Sequence, residues 1–287
     1  PAKHFENFYL NGVGGASDPR VALRDKLILL LMQGAGFRAS EALLLWVTDV
    51  FEDPNDNDAV IVRIYNEIDG KAPDNWKSRK GVSTRKAYLQ EKYGRTPRQE
   101  MLGTQRLGWK SRVVDHKDSY LEGYFFPNEY RYVFMKLWRE YLVYRAAVPC
   151  NHPYAFISFD PRHLGNPYTQ NAFNQNYAAG LRRIGLAPNK AEGLDPHGHR
   201  HRFGRELTSA GVDPLIRKKC LHHKSLESQT VYTMPSSQQV SNALSNASEQ
   251  LKLESDTPKL ANSFDWKTLA EHGFEDIDPD GYFTGKN

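Results

Sequence analysis

The stretch HGHRHRFGREL, residues 197–207, places three histidines and three arginines within nine positions, and its reading decides the fold. It follows Asp195-Pro196. Aspartate is a good helix N-cap and proline is favoured at the first helical position, so a helix begins here with His197 in its first turn. His197 and Arg200 are three apart and share one face of that helix. The free N–H groups and positive dipole end of the same terminus join them, and together they make a cradle for a phosphate. His199 and Arg202 point away from that face. His197 and His201 also share a face, which leaves a zinc reading open, with His199, His222, His223 and Cys220 as further donors.

Composition narrows the class of protein. The chain has 287 residues, 39% hydrophobic and 12% aromatic, enough for one large domain or two small ones with a real core. It has no run of eighteen apolar residues and no visible signal peptide, so a membrane span is not expected. Two cysteines, Cys150 and Cys220, do not make a disulfide framework, and a reducing cytoplasm is the expected location. The net charge of +4 is unevenly spread. Residues 241–287 carry four Lys or Arg against nine Asp or Glu, which leaves +9 on residues 1–240. A basic body fits a polyanionic partner.

Outward from residues 197–207 the pattern is mainly helical. Residues 1–18 read as a loosely ordered start and a linker, NGVGGASDP, that ends with Asp18 capping a helix opened by Pro19. The helix VALRDKLILLLMQ follows and stops at Gly34 and Gly36, and a second helix, ASEALLLW, starts at once. TDVFEDPNDNDA is turn-rich, and AVIVRIYN is a strand. Residues 66–120 are a basic, poorly periodic insertion with one short helix at TRKAYLQEKYG. Its cations, among them Lys77, Arg79, Lys80, Arg85, Lys86, Arg95 and Arg98, are read together as a flap that contacts phosphates. YLEGYFFP, residues 120–127, reads as a strand. YRYVFMKLWREYLVYRAA is an amphipathic helix, and further helices are expected over residues 170–185, 196–210 and 214–222. After the breaker at residues 234–237, Val240, Leu244, Ala247 and Leu251 mark one more. The fold class is mainly α with a small antiparallel β-sheet.

Two distant segments accompany the histidine-rich one. In GAGFRASEALLLW, Arg38 sits in the tight turn between two helices, suited to bidentate phosphate contact, with Glu41 three residues on to hold its guanidinium. In CLHHKSLESQTVYT, His223 and Tyr232 are nine apart. Taken together, GFRASE, HGHR and LHHKSLESQTVYT resemble the tyrosine recombinase, or phage integrase, family in order. The 32-residue step from Arg200 to Tyr232 matches as well. His222 stands where the family has glycine. The resemblance covers residues 19–235 and is thin over residues 52–130.

The resemblance implies the catalytic-domain fold of that family and a metal-free, ATP-free reaction on double-stranded DNA, with no cofactor. Tyr232 would attack the scissile phosphate, form a 3′-phosphotyrosyl link and free a 5′-hydroxyl. Arg38, Arg200 and His223 would stabilise the transition state, with Glu41 orienting Arg38. His197 would assist proton removal from the tyrosine. A lysine in the thin region would protonate the leaving oxygen. Lys110, where a first hairpin strand would end, is favoured over Lys117, just before the returning strand. Lys77, Arg79, Lys80, Arg85, Lys86 and Arg202 are the candidate DNA contacts. The partner is expected to be DNA, held by a synaptic homotetramer in the service of a mobile element. The helix after Ser237 would dock either on a neighbouring protomer or on its own domain. The domain plan is a linker over 1–18, a catalytic domain over 19–235, and a C-terminal helix with an acidic tail over 236–287. The family's core-binding domain is absent before Arg38, so the chain is expected to be the catalytic portion of a longer protein. A non-catalytic DNA-binding relative of the same fold and a type IB topoisomerase-like enzyme are the alternatives.

Overall fold

The computed structural model describes residues 4–111, 116–222 and 237–253. Its centre is α2 (Pro19–Gly34), which Asp18 caps by accepting from the Arg20 amide. Every residue from Ala22 to Gly34 is buried, so this helix is covered on all sides. It packs on α5 (Tyr130–Ala146) and α7 (Pro196–Ser209). Charge inside it is matched. Arg24 pairs with Asp25 at 2.9 Å, donates to the Ile157 carbonyl, and lies 3.4 Å over the Tyr168 ring. The helix α6 (Gln170–Arg183), opened by a Thr169 cap, carries Phe173, Tyr177 and Leu181 into the same core.

A three-stranded antiparallel sheet in the order β1-β2-β3 flanks these helices: β1 (Val50–Asp53), β2 (Asp56–Tyr65) and β3 (Tyr120–Glu122). The registers Val50↔Val62 and Ile64↔Leu121 turn Val60, Val62, Ile64 and Leu121 into the core. The sheet corrects three expectations. The turn-rich segment after residue 47 contains β1, because Asp53 to Asp56 closes a tight hairpin onto β2. The strand expected over residues 120–127 ends at Glu122, where the chain leaves the sheet and the Phe126 amide bonds the Gly34 carbonyl. The second helix is only α3 (Ala39–Ala42). Beyond it Leu43, Leu44, Leu45 and Trp46 are all buried, and Leu45 and Trp46 pair instead with the 153–155 segment. The backbone bonds that Leu45 and Val47 make with Ala155 and Pro153 replace the helical ones.

The start of the chain is also a correction. Residues from Phe5 to Val13 are helical, as α1 (Phe5–Asn7) and a π-helical continuation (Phe8–Val13). Phe5, Phe8, Tyr9 and Val13 are buried in the main core. Arg183 donates to the Gly12 carbonyl at 2.7 Å and ties the segment to α6. The polar residues between these aromatics masked a sticky stripe.

The basic insertion is a structured lobe. Its helix α4 (Arg85–Tyr93) is capped by Thr84 and stopped by left-handed Gly94. Tyr88, Leu89 and Ala72 form a satellite core with Trp46 and Tyr154. Arg85, expected on DNA, is instead the lobe's anchor: it makes two bonds to Asp49 at 2.6 and 2.7 Å and stacks between Trp46 and Tyr65. Arg98 is buried too, donating to the carbonyls of Gln105, Leu43 and Tyr168. Asp49→Ala leaves the Arg85 charge uncompensated in the interior and is expected to cost about 3 kcal/mol of unfolding free energy. Urea titration of the two proteins checks this, and a loss below 1 kcal/mol would contradict the anchor role.

The helices α8 (Pro214–Cys220) and α9 (Ser237–Leu253) complete the fold. Val240, Leu244 and Ala247 of α9 pack with Phe203, Leu207, Val212 and Cys220 and with Tyr124 and Phe126. Within the single chain α9 thus packs on its own domain. The acidic tail after Leu253 lies outside the described residues. Among the described residues no helix is long and apolar enough to cross a membrane.

Candidate active site

Two turns meet at one open groove of about 760 Å³. The first joins α2 to α3. Gly36 there has φ +66°, and a Cβ would come within 2.5 Å of the Phe203 ring, so only glycine fits. The turn presents Arg38 to the groove. Its Nη1 donates to Glu41 Oε1 at 2.9 Å and to Ser111 Oγ at 2.8 Å, while its backbone N–H donates to Glu41 Oε2 at 3.0 Å. Ser111 in turn donates to Glu41 at 2.7 Å. Glu41 is fully buried. Burial pushes its carboxyl upward, but Arg38 and the bonds from Ser111 and the backbone outweigh this and hold it below the ordinary glutamate range. Glu41 is therefore an anion that fixes the Arg38 fork.

The second turn is the start of α7. Asp195 caps it by accepting from the Gly198 amide at 2.8 Å. Gly198 is required by close approach: a Cβ there would sit 2.1 Å from the Gly193 carbonyl. Arg200 is 4% exposed and donates to the carbonyls of Gly36 and Leu221. Burial, with Arg38 nearby, lowers its proton affinity to about 10, so it stays cationic at neutral pH. His197 is exposed in the groove, and burial of part of its ring, then His201, Arg200 and Arg38, lower its proton affinity. It is neutral near pH 7 and free to accept a proton.

Arg38, Lys110, His197 and Arg200 thus line one groove. Lys110 reaches it from an irregular segment rather than from the end of a hairpin strand, because β2 pairs directly with β3 and the whole lobe lies between them. Lys117, in the turn before β3, is exposed outside the groove. His223 and Tyr232 fall outside the described residues. The chain leading to them begins in the site, since Leu221 accepts from Arg200 and His222 stacks on Phe37 at 5.2 Å. His222 has φ +48°, the left-handed region that explains why glycine is the expected residue there.

The candidate DNA contacts separate by environment. Lys77, Arg79 and Lys80 are exposed on the lobe, away from the groove. Lys86 is tied to Glu100 at 2.7 Å. Arg202 is a correction alongside Arg85: it is 7% exposed, pairs with Glu206 at 2.6 Å and lies over the Phe5 ring. The groove also holds side chains that the sequence reading passed over: Arg106, Gln170, Asn174 and Lys190 on its walls, and Ser111 behind Arg38. Arg106 and Lys190 carried only the signal of charge. Ser111 carried none.

Behind α7, His199 is buried between Gln33 and Tyr177, at 3.0 Å from each, with Phe5 and Phe8 against its ring. Burial pushes it down to about 3, and burial pushes His152 down to about 4. Both folded-state values lie below the ordinary 6.5, so the unfolded chain binds protons first. Their stabilisation is full above about pH 6.5 and is lost as pH falls toward 4, at about 1.4 kcal/mol per unit for each ring. At pH 5 each is expected to have cost about 2 kcal/mol relative to pH 7. His199→Gln keeps both hydrogen-bond partners and removes the titration. Its stability loss between pH 7 and pH 5, by urea titration, should be smaller than the wild type's by that amount; equal losses would refute the assignment.

Residues 131–239 match the sequence model of the phage integrase family. That segment carries α5 to α8 and His197, Arg200 and Tyr232. No curated protein matches the chain. Among solved structures, it is similar to the XerH site-specific recombinase bound to difH substrate in a pre-cleavage complex. The identity there is 17% and the TM-score 0.48, over 79% of this chain and 48% of that one. XerH on a palindromic difH substrate in a post-cleavage complex gives 18% identity and a TM-score of 0.47, over 84% and 50%. The chain spans about half the length of these solved proteins.

Proposed function

We propose that this chain is the catalytic part of a site-specific DNA recombinase that breaks and rejoins double-stranded DNA through a 3′-phosphotyrosyl link at Tyr232. The observation that carries the reading is the convergence of Arg38, Lys110, His197 and Arg200 on one groove. A phosphodiester needs its non-bridging charge neutralised, its nucleophile deprotonated and its leaving oxygen protonated. In the proposed reaction Arg38 and Arg200, with His223, bind the non-bridging oxygens as charge builds on them. His197, neutral near pH 7, takes the Tyr232 proton. Lys110 donates a proton to the departing 5′ oxygen. Each step needs only side chains of the protein, so neither a metal nor ATP enters. The link keeps the energy of the broken bond, and a 5′-hydroxyl of a second duplex reverses the step, which is strand exchange. The working unit is a synaptic homotetramer in the cytoplasm, where Cys150 and Cys220 stay reduced, in the service of a mobile element.

The test uses labelled duplex DNA from the gene's own flanks, nicked so that the short fragment leaves and the link accumulates. After denaturation, a DNA-linked protein band that forms in EDTA is expected. Tight DNA binding without any band would overturn the reading in favour of a non-catalytic DNA-binding module.

A further inference from the structure

Lys110 stands in residues 106–111, which belong to no helix or strand. Burial alternates along them with the period of an extended chain. Leu107 and Ser111 are buried and Trp109 is half-buried, while Gly108 and Lys110 are exposed. The outward residues Arg106, Gly108 and Lys110 line the groove. The inward ones hold them there: Leu107 and Trp109 pack on the main core, and Ser111, 3% exposed, is held by polar bonds. Its hydroxyl closes a ring of three atoms. Oγ donates to Glu41 Oε1 at 2.7 Å and accepts from Arg38 Nη1 at 2.8 Å, and Nη1 donates to the same Oε1 at 2.9 Å. Both partners are ionised, which strengthens each bond to the hydroxyl. Glu41 already fixes Arg38 through two bonds, from Nη1 and from the backbone N–H, so the serine is not needed to orient the guanidinium. What the serine adds is a tie between that ion pair and the chain that carries Lys110.

We propose that Ser111 is a positioning residue for Lys110: its bonds to Arg38 and Glu41 fix the backbone next to Lys110, so that the ammonium reaches the oxygen leaving the phosphate that Arg38 holds. The Cα atoms of neighbouring residues are about 3.8 Å apart, so pinning Ser111 pins the base of the lysine. Four flexible carbons separate the ammonium from that base, and the base therefore sets where the ammonium can go. Arg38 and Lys110 are both cations in one groove and repel each other; a neutral hydroxyl bonded to the arginine keeps the lysine segment close against that repulsion. In the step itself the Tyr232 oxygen bonds to phosphorus, the bond from phosphorus to the 5′ oxygen breaks, and the Lys110 Nζ proton passes to that oxygen. The positioning role rests on the proposed function; the tether does not.

The experiment compares the whole chain as wild type, Ser111→Ala and Lys110→Ala on two nicked duplexes. One is ordinary DNA; the other has sulfur in place of the bridging 5′ oxygen at the cleaved bond. Thiols ionise near pH 8.5, so sulfur leaves as a thiolate and needs no acid. On ordinary DNA Ser111→Ala should slow single-turnover link formation by about 10²-fold, the effect of a misplacement of about 1 Å. On the sulfur duplex both variants should recover to near the wild-type rate, which also shows that they are folded. Ser111→Ala that matches the wild type on ordinary DNA overturns the proposal. So does Ser111→Ala that stays slow on sulfur while Lys110→Ala recovers, since the serine would then act through Arg38. Failure of sulfur to rescue Lys110→Ala removes Lys110 as the acid, and the positioning role with it. Trypsin gives a readout free of activity. The cut after Lys110, scaled to the same cut in the unfolded chain, should quicken by at least about tenfold in Ser111→Ala as the segment opens more often. Cuts after the exposed Lys77 and Arg79 should keep their rates. An unchanged cut after Lys110 refutes the tether. If the wild type links neither duplex, the functional reading fails together with the positioning role, and the trypsin rate alone decides the tether.

Discussion

Tyr232→Phe is expected to abolish the covalent DNA–protein link while leaving DNA affinity unchanged. The substitution removes one oxygen, and that oxygen is the nucleophile in the proposed reaction, so no phosphotyrosyl bond can form. The charges that would hold the phosphate are untouched. Arg38 stays pinned by Glu41 and Ser111, Arg200 stays pinned by two carbonyls, and Lys110 and His197 remain in the groove. Binding is mainly such charge contact and should keep its salt dependence. Link formation falls below detection, and filter binding on intact duplex measures the affinity beside it. A link that persists in the phenylalanine protein would mean another nucleophile. Loss of both link and affinity would mean that Tyr232 holds DNA or the fold rather than attacking phosphorus.

Much of this site was legible because its parts obey local rules. Asp-Pro before HGHR marks a helix start, and the structure caps it with Asp195. GAGFR marks a tight turn, and the structure turns it through left-handed Gly36. Three-residue spacing led from Arg38 to Glu41, and the bond is there at 2.9 Å. What the sequence hid was long-range partnership. Arg85 and Arg202 carry the same guanidinium as Arg38 and were read as DNA contacts. The role of Arg85 is set by Asp49, 36 residues away, and that of Arg202 by Phe5 from the chain's start, over whose ring it lies while it pairs with Glu206 one turn on. Charge density cannot tell a buried pair from a solvated one, since both are written with the same letters. Ser111 is the sharper case: a lone serine gains meaning only once folding brings it 70 residues back to Glu41. The aromatic stripe at Phe5, Phe8 and Tyr9 has the spacing of one helix face, a signal diluted by the polar residues around it and by the wider π-helical turn that follows.

Arg200→Lys should slow link formation by about 10²–10³-fold, although the charge is kept. The guanidinium does two jobs that a single ammonium cannot do together. Its Nη1 holds the Gly36 carbonyl, in the turn that presents Arg38, and its Nη2 holds the Leu221 carbonyl, just before His222 and His223. Both acceptors are anchored by one planar fork, which lysine lacks. A lysine reaching one carbonyl leaves the other without its donor in a site where Arg200 is only 4% exposed, at about 1–3 kcal/mol of stability. Arg38→Lys provides the comparison. Arg38 is 22% exposed at its side chain and its bonds go to Glu41 and Ser111, so lysine there keeps an ion pair with Glu41. That variant should lose activity with a smaller loss of stability. Single-turnover link formation and urea titration of both variants separate the cases. If Arg200→Lys matched the wild type in rate, the fork would be structural alone. If both variants lost activity but only Arg200→Lys lost stability, Arg200 would be the residue that joins the Arg38 turn to the segment leading to His223 and Tyr232.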